Sequence, residues 1–172
     1  MNLLNLYFTP FAAAMVVAAV YFSEPDATTK YLAFGLLLLS LAVNQWFSKN
    51  TYRFVGWAGR LKVLQVWLTF LWSALLAYLL MPYWAPMWLL LALPPVTAAL
   101  YQGKGQTLGT AGVCSLSVLG IYWFNAHSQG MQLESVALAM AVVHAAFIFV
   151  LAAFVHELAQ AALRMRDAAS RL

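Results

Sequence analysis

Three histidines and a single cysteine are the residues of this 172-residue chain whose chemistry would count most in an apolar setting. His144 lies in the middle of a run, Ser135 to Val155, that carries no Asp, Glu, Lys or Arg. An ionisable group at such a position is costly and is a functional candidate by default. The plainer reading, which we favour, is a neutral imidazole hydrogen-bonded to a neighbouring helix. Thr69, Ser73, Ser115 and Ser117 are the partners on offer. No metal or haem centre is expected, because His127, His144 and His156 fall at different depths. His144 and His156 would be about 18 Å apart along one helix. Cys114 alone makes neither an intramolecular disulfide nor a metal cluster. Gly112-Val113-Cys114-Ser115-Leu116 lacks the second glycine of a Gly-x-Ser-Gly nucleophile motif, and nothing nearby would activate the serine. Catalysis is not expected.

The remaining polar groups are thinly spread. Trp67 and Trp72 lie deep in an apolar run, close in sequence to Thr69 and Ser73, and could line a small-molecule pocket. With His144 they form the candidate ligand-binding or polar-switch set. Pro94-Pro95 interrupts another run, where a kink or unpaired carbonyls are expected. No carboxylate lies inside an apolar run, which argues against proton- or cation-driven pumping. Gly109, Gly112 and Gly120, with Ala111, Ser115 and Ser117, make a small-residue surface expected to be a buried packing face.

Composition decides which elements must hold these groups. Hydrophobic residues make up 65% of the chain and charged residues 8%, and the mean hydropathy is +0.81. A soluble domain carries roughly a quarter charged residues, so the outer solvent here must be lipid. Unbroken apolar runs, rather than alternation, select helices over a barrel. The first run has no basic leader and no clear cleavage site, so it is read as a retained helix. Charge-free runs cover residues 1–23, 31–48 and 63–103. The last is long enough for two spans at about 20 residues each. It breaks at Met81-Pro82-Tyr83-Trp84-Ala85-Pro86-Met87-Trp88, where two prolines and interfacial aromatics predict a hairpin. A fourth span ends near Tyr101, a fifth runs from Leu108 to Phe124, and a sixth from Ser135 to Val155.

Eight of the nine basic residues (Lys49, Arg53, Arg60, Lys62, Lys104, Arg164, Arg166 and Arg171) fall in even-numbered loops or the C-terminal tail. The positive-inside rule puts those segments in the cytoplasm. The expected architecture is an all-α, polytopic membrane helix bundle of about six transmembrane helices, N-in/C-in, with the last helix extending into the cytoplasm. Residues 1–157 would form the bundle and 158–172 the juxtamembrane helix. The net charge of +4 then reflects topology, and no nucleic-acid partner is expected.

The tail from His156 to Leu172 lacks Gly and Pro and is rich in helix formers. Leu158, Met165 and Leu172 recur every seventh residue, with Ala162 and Ala169 four residues after the first two. That 4–3 spacing reaches back through Leu151 and Val155 into the sixth span, as in a two-stranded coiled coil. A basic amphipathic helix lying on anionic lipid is the alternative.

This layout resembles the N-terminal membrane modules of bacterial sensor histidine kinases, PilS-like ones in particular, and of related diguanylate cyclases. The local likeness lies in Asn5-Leu6-Tyr7 and in Pro94-Pro95-Val96-Thr97-Ala98-Ala99-Leu100-Tyr101-Gln102-Gly103-Lys104-Gly105, followed by a small-residue span, a polar outer loop and an exit helix. The resemblance implies a homodimeric, multi-pass module of the bacterial cytoplasmic (inner) membrane, acting in two-component signalling. It would sense a small-molecule or membrane-protein signal and pass it down the last helix. In that family the helix leads to PAS and kinase or cyclase domains, whereas this sequence stops at Leu172. It is therefore read as an input module or as a free-standing protein, without cofactor. The alternative is a small transporter component or an accessory subunit of a larger membrane complex, and a third is an intramembrane enzyme that uses His144.

Overall fold

The computed structural model describes residues 9–50, 58–128 and 134–169. These form six α-helices and one 3₁₀ helix, with no strand among the described residues: α1 Thr9–Ser23, α2 Ala27–Asn50, α3 Ala58–Leu80, a 3₁₀ segment Ala85–Ala92, α4 Leu93–Tyr101, α5 Lys104–Ser128 and α6 Ser135–Ala169. Ala27–Phe47, Gly59–Leu80, Lys104–Ser128 and Ser135–Ala169 are each long and apolar enough to cross a membrane. Thr9–Ser23 and Ala85–Tyr101 are shorter apolar helices. The chain is a helical membrane protein. Asn5-Leu6-Tyr7 and Leu172 lie outside the described residues.

The first connection is tight because each residue in it has one job. Glu24 takes a left-handed backbone, φ 43°, which ends α1, and Pro25 prevents the helix from resuming. Asp26 then caps α2. Its carboxylate accepts the Thr29 backbone N–H at 3.0 Å and the Thr29 hydroxyl at 2.6 Å, satisfying an N–H that the first turn leaves free. The Tyr83 hydroxyl, from the turn after α3, also donates to Asp26, at 2.9 Å. Phe22 stacks on Trp84, with centroids 5.6 Å apart. The α1–α2 and α3–3₁₀ connections therefore meet at one end of the bundle.

The segment after the hairpin departs from the expected kinked span. It winds as a 3₁₀ helix for eight residues and becomes α-helical at Leu93, just before the two prolines. In an α-helix the Leu90 carbonyl would look to the nitrogen of Pro94, which carries no hydrogen. In the tighter winding the Leu93 N–H donates to the Leu90 carbonyl instead, so this carbonyl has a partner. The winding also lengthens the rod. At about 2.0 Å per 3₁₀ residue and 1.5 Å per α residue, Ala85–Tyr101 reaches about 30 Å, the thickness of a bilayer core.

That rod is the centre of the molecule. Met87, Leu90, Leu91, Pro94, Pro95 and Thr97 are almost wholly buried, and the rod packs against α1, α3, α5 and α6. A helix that is apolar all round and covered on every side belongs in a core. Around it, Val16, Leu37, Leu76, Leu80, Val118 and Ile148 complete the packing. In lipid such packing is held by close van der Waals fit and by scattered hydrogen bonds.

α5 corrects the expectation about glycine. Its buried face is Thr107, Thr110, Ala111, Cys114, Val118 and Ile121. A methyl group added at Gly109, Gly112 or Gly120 would meet nothing within 4 Å, so these glycines do not admit a close neighbour. Small residues do count at Ser115, whose hydroxyl crosses to the Ala145 carbonyl of α6 at 2.8 Å. The helix is also longer than expected: it begins at Lys104 and takes Asn125 to Ser128 into its last turn.

At the opposite end from Asp26, Lys104 pairs with Glu157 at 2.8 Å, and the Lys62 ammonium lies 5.2 Å from the Tyr101 ring centroid. α6 runs unbroken for 35 residues, about 52 Å.

Candidate functional site

Three places on this scaffold hold the residues singled out by sequence. The first surrounds His144. α6 brings its imidazole against Trp88 of the 3₁₀ segment, stacked at 4.1 Å with 14° between the planes. Tyr122 of α5 shares a hydrogen bond with His144 Nδ1 at 3.2 Å. Phe147 meets the Trp88 ring edge-on at 5.6 Å. None of the expected partners holds the histidine. Thr69 donates to the Gln65 carbonyl, Ser117 to Val113, and Ser115 to Ala145, while Ser73 lines a separate cavity. Thr69 and Ser117 take a hydroxyl's shortest route in lipid, to a carbonyl of their own helix one turn back, whereas Ser115 and Tyr122 reach across to α6. Trp88 and Tyr122 sit at the ends of apolar runs and read as interfacial anchors; nothing in the sequence alone pairs them with His144.

Ser115, with its hydroxyl committed to Ala145, has no link to His144 and is not set up as a nucleophile. Among the described residues no group of three His, Cys, Asp or Glu side chains could hold a metal. His127 stacks on Trp123 at 5.5 Å, and His156 is buried with Nδ1 unpartnered. Through ring stacking and one hydrogen bond the His144 cluster ties α6 to α5 and the central rod.

The second place is a cavity of about 40 Å³ between α1, α2, α3 and the central rod. Three of the sequence candidates, Thr69, Trp72 and Ser73, line it together with Ser40 and Asn44 of α2. Trp67 does not. It is 45% exposed, faces outward and meets Phe70 edge-on at 5.8 Å. The helical repeat explains the split, because residues 67 and 72 point about 140° apart on a helix whereas 65, 69, 72 and 76 share one face. Gln65, Thr69 and Ser73 are buried in an otherwise apolar helix, and their i, i+4, i+8 spacing is the signal that could have marked this face. Asn44 Oδ1, Gln65 Nε2 and Trp72 Nε1 are buried without a partner. That is unusual, because a lone polar atom in an apolar interior costs about 1–3 kcal/mol.

The third place is the end of α6. Beyond His156, Leu158 is 53% and Met165 68% exposed, and Ala162 and Ala169 are exposed with them. The face that α6 buries in the bundle is Ala141, Ala145, Ile148, Ala152 and His156. At about 100° per residue the seam through Leu158, Ala162 and Met165 is turned roughly a quarter of a circle from it. The seam is therefore presented outward rather than toward the chain's own helices.

Comparison with protein-family models, with curated proteins and with solved structures finds no match for this chain.

Proposed function

We propose that this protein is a non-catalytic signal-transmitting module of the bacterial inner membrane, dimerising along α6 and relaying a signal through its cytoplasmic extension. The observation that carries the reading is the continuity of α6. One 35-residue helix is gripped at His144 by Trp88 and Tyr122 and ends in an apolar seam at Leu158 and Met165. A change that tilts or turns the helix at His144 is carried rigidly to that seam. In a coiled-coil-like dimer the seam of one copy would cover that of the other.

Six crossings with both termini in the cytoplasm belong to the same proposal. In its support, the central rod reaches about 30 Å despite its 17 residues. The two odd-numbered connections joined at Asp26 and Tyr83 share an end, as do Lys104 and Glu157. This is the parity that the basic residues follow. The resemblance to sensor-kinase input modules rests on layout and supplies analogy only.

Counting photobleaching steps on labelled protein in native membranes tests the dimer. Two steps are expected for the unaltered chain, and one for the Leu158→Glu/Met165→Glu double variant. A single step for the unaltered chain would sink the proposal.

A further inference from the structure

The cavity between α1, α2 and α3 has no part in the relay described above, yet its lining is specific. Six apolar side chains from all four surrounding segments, Leu76 and Leu90 among them, form most of the wall. The polar groups Ser40, Asn44, Thr69, Trp72 and Ser73 come from α2 and α3, with Thr9 of α1 at the edge. The Ser40 and Thr69 hydroxyls donate to Leu37 and Gln65 carbonyls at 2.7 and 2.8 Å, so their oxygens can still accept. Asn44 Oδ1 and the Trp72 indole N–H have no partner. Among the described residues no charged or titratable side chain lines the space. An ion there would lose its hydration with no counter-charge to compensate, which excludes charged occupants.

We infer that this cavity binds a small neutral molecule carrying both a hydrogen-bond donor and an acceptor, of the alcohol or simple amide class. Its acceptor takes the Trp72 N–H, its donor meets Asn44 Oδ1 or a hydroxyl oxygen, and its apolar end rests on the leucines. The volume of about 40 Å³, against roughly 10–15 Å³ for one water, limits the occupant to about three or four heavy atoms. A file of waters is the competing occupant and fits less well. Each buried water needs about two to four polar partners, and most of the wall offers none. Thr9, Leu41 and Asn44 also border an outer groove lined by Ala42 and Gln45, on the α1–α2 side of the site. The inference is independent of the dimer, since none of these residues lies on α6.

The test is a titration of the purified, lipid-embedded protein with acetamide and with 1-propanol, followed by the indole N–H resonances of its seven tryptophans. Trp72 is assigned by its loss in Trp72→Phe. A saturable shift confined to the Trp72 resonance is expected. In Ala12→Leu, which fills the cavity from α1 without removing a polar group, affinity should fall at least tenfold. Leu41→Phe, which also adds bulk to the lining without removing a polar group, provides the same blockade if Ala12→Leu does not fold. No saturable shift, a uniform drift of all the indoles, or water as the sole occupant would overturn the inference. So would a shift that survives both filling variants.

Discussion

Asp26 shows how one side chain can fix a corner of a membrane bundle. Hydrogen bonds from the Thr29 side chain, the Thr29 backbone and Tyr83 hold its carboxyl at about 2, below the ordinary 3.8. Because the folded-state value is the lower one, the unfolded chain binds the proton first. The stabilisation is therefore fully present above pH 3.8 and is lost as pH falls through about 2. Melting in detergent between pH 6 and 2 should show this loss, and Asp26→Asn should flatten the profile in that window. An unchanged profile would mean that the cap contributes nothing. His144 makes a second prediction at this scale. Tyr122→Phe and His144→Phe should each destabilise modestly, and the double variant should show a coupling near the roughly 0.6 kcal/mol typical of interhelical hydrogen bonds in membranes. Strict additivity in the cycle would show that the pair is incidental. The charge-free run around His144 made the residue conspicuous, but its partners were not legible, because they sit far away in sequence and look like ordinary interfacial aromatics.

Among the elements, the central rod and α5 differ most from what their sequences predict. Two adjacent prolines predict a kinked span at Pro94-Pro95, whereas the structure places them in the first turn of α4 and tightens the eight residues before it into a 3₁₀ helix. That remedy for Leu90's carbonyl is not legible in sequence, because it depends on a three-dimensional hydrogen bond. On α5, the glycines predict close packing, yet a methyl added at Gly112 meets no neighbour within 4 Å. Gly112→Ala should therefore raise stability by about half a kcal/mol or leave it unchanged, through helix propensity alone. Chemical unfolding of the two forms in micelles measures this. A clear loss of stability would reveal a packing partner outside the chain's own bundle. Helix ends were legible only to within a few residues, because charges such as Lys104 sit inside terminal turns rather than beyond them.

For the molecule as a whole, the all-helical membrane class followed directly from 65% hydrophobic and 8% charged residues, and the long apolar helices agree. The six-crossing orientation makes a direct labelling prediction once buried Cys114 is replaced by alanine. A membrane-impermeant maleimide should label cysteines placed at Glu24 and Glu134 from outside intact cells, and one at Asp167 only after permeabilisation. Labelling of Asp167→Cys in intact cells would reverse the topology. What lies within the bundle was less legible than its outline. Spacing alone could assemble Thr69 and Ser73 on one face, but not the cavity that α1 and α2 close over them. The 4–3 spacing on α6 is legible without knowledge of the fold, whereas the outward orientation of those residues depends on which face the bundle buries. The central claim, that two copies meet along this seam, is most directly tested by scanning single cysteines from His156 to Ala169 for disulfide crosslinking in native membranes. Crosslinking should peak at Leu158, Ala162, Met165 and Ala169 and fall to a minimum on the opposite side of the helix, at Gln160 and Asp167. A flat profile, or peaks on the face that α6 turns toward its own bundle, would contradict it.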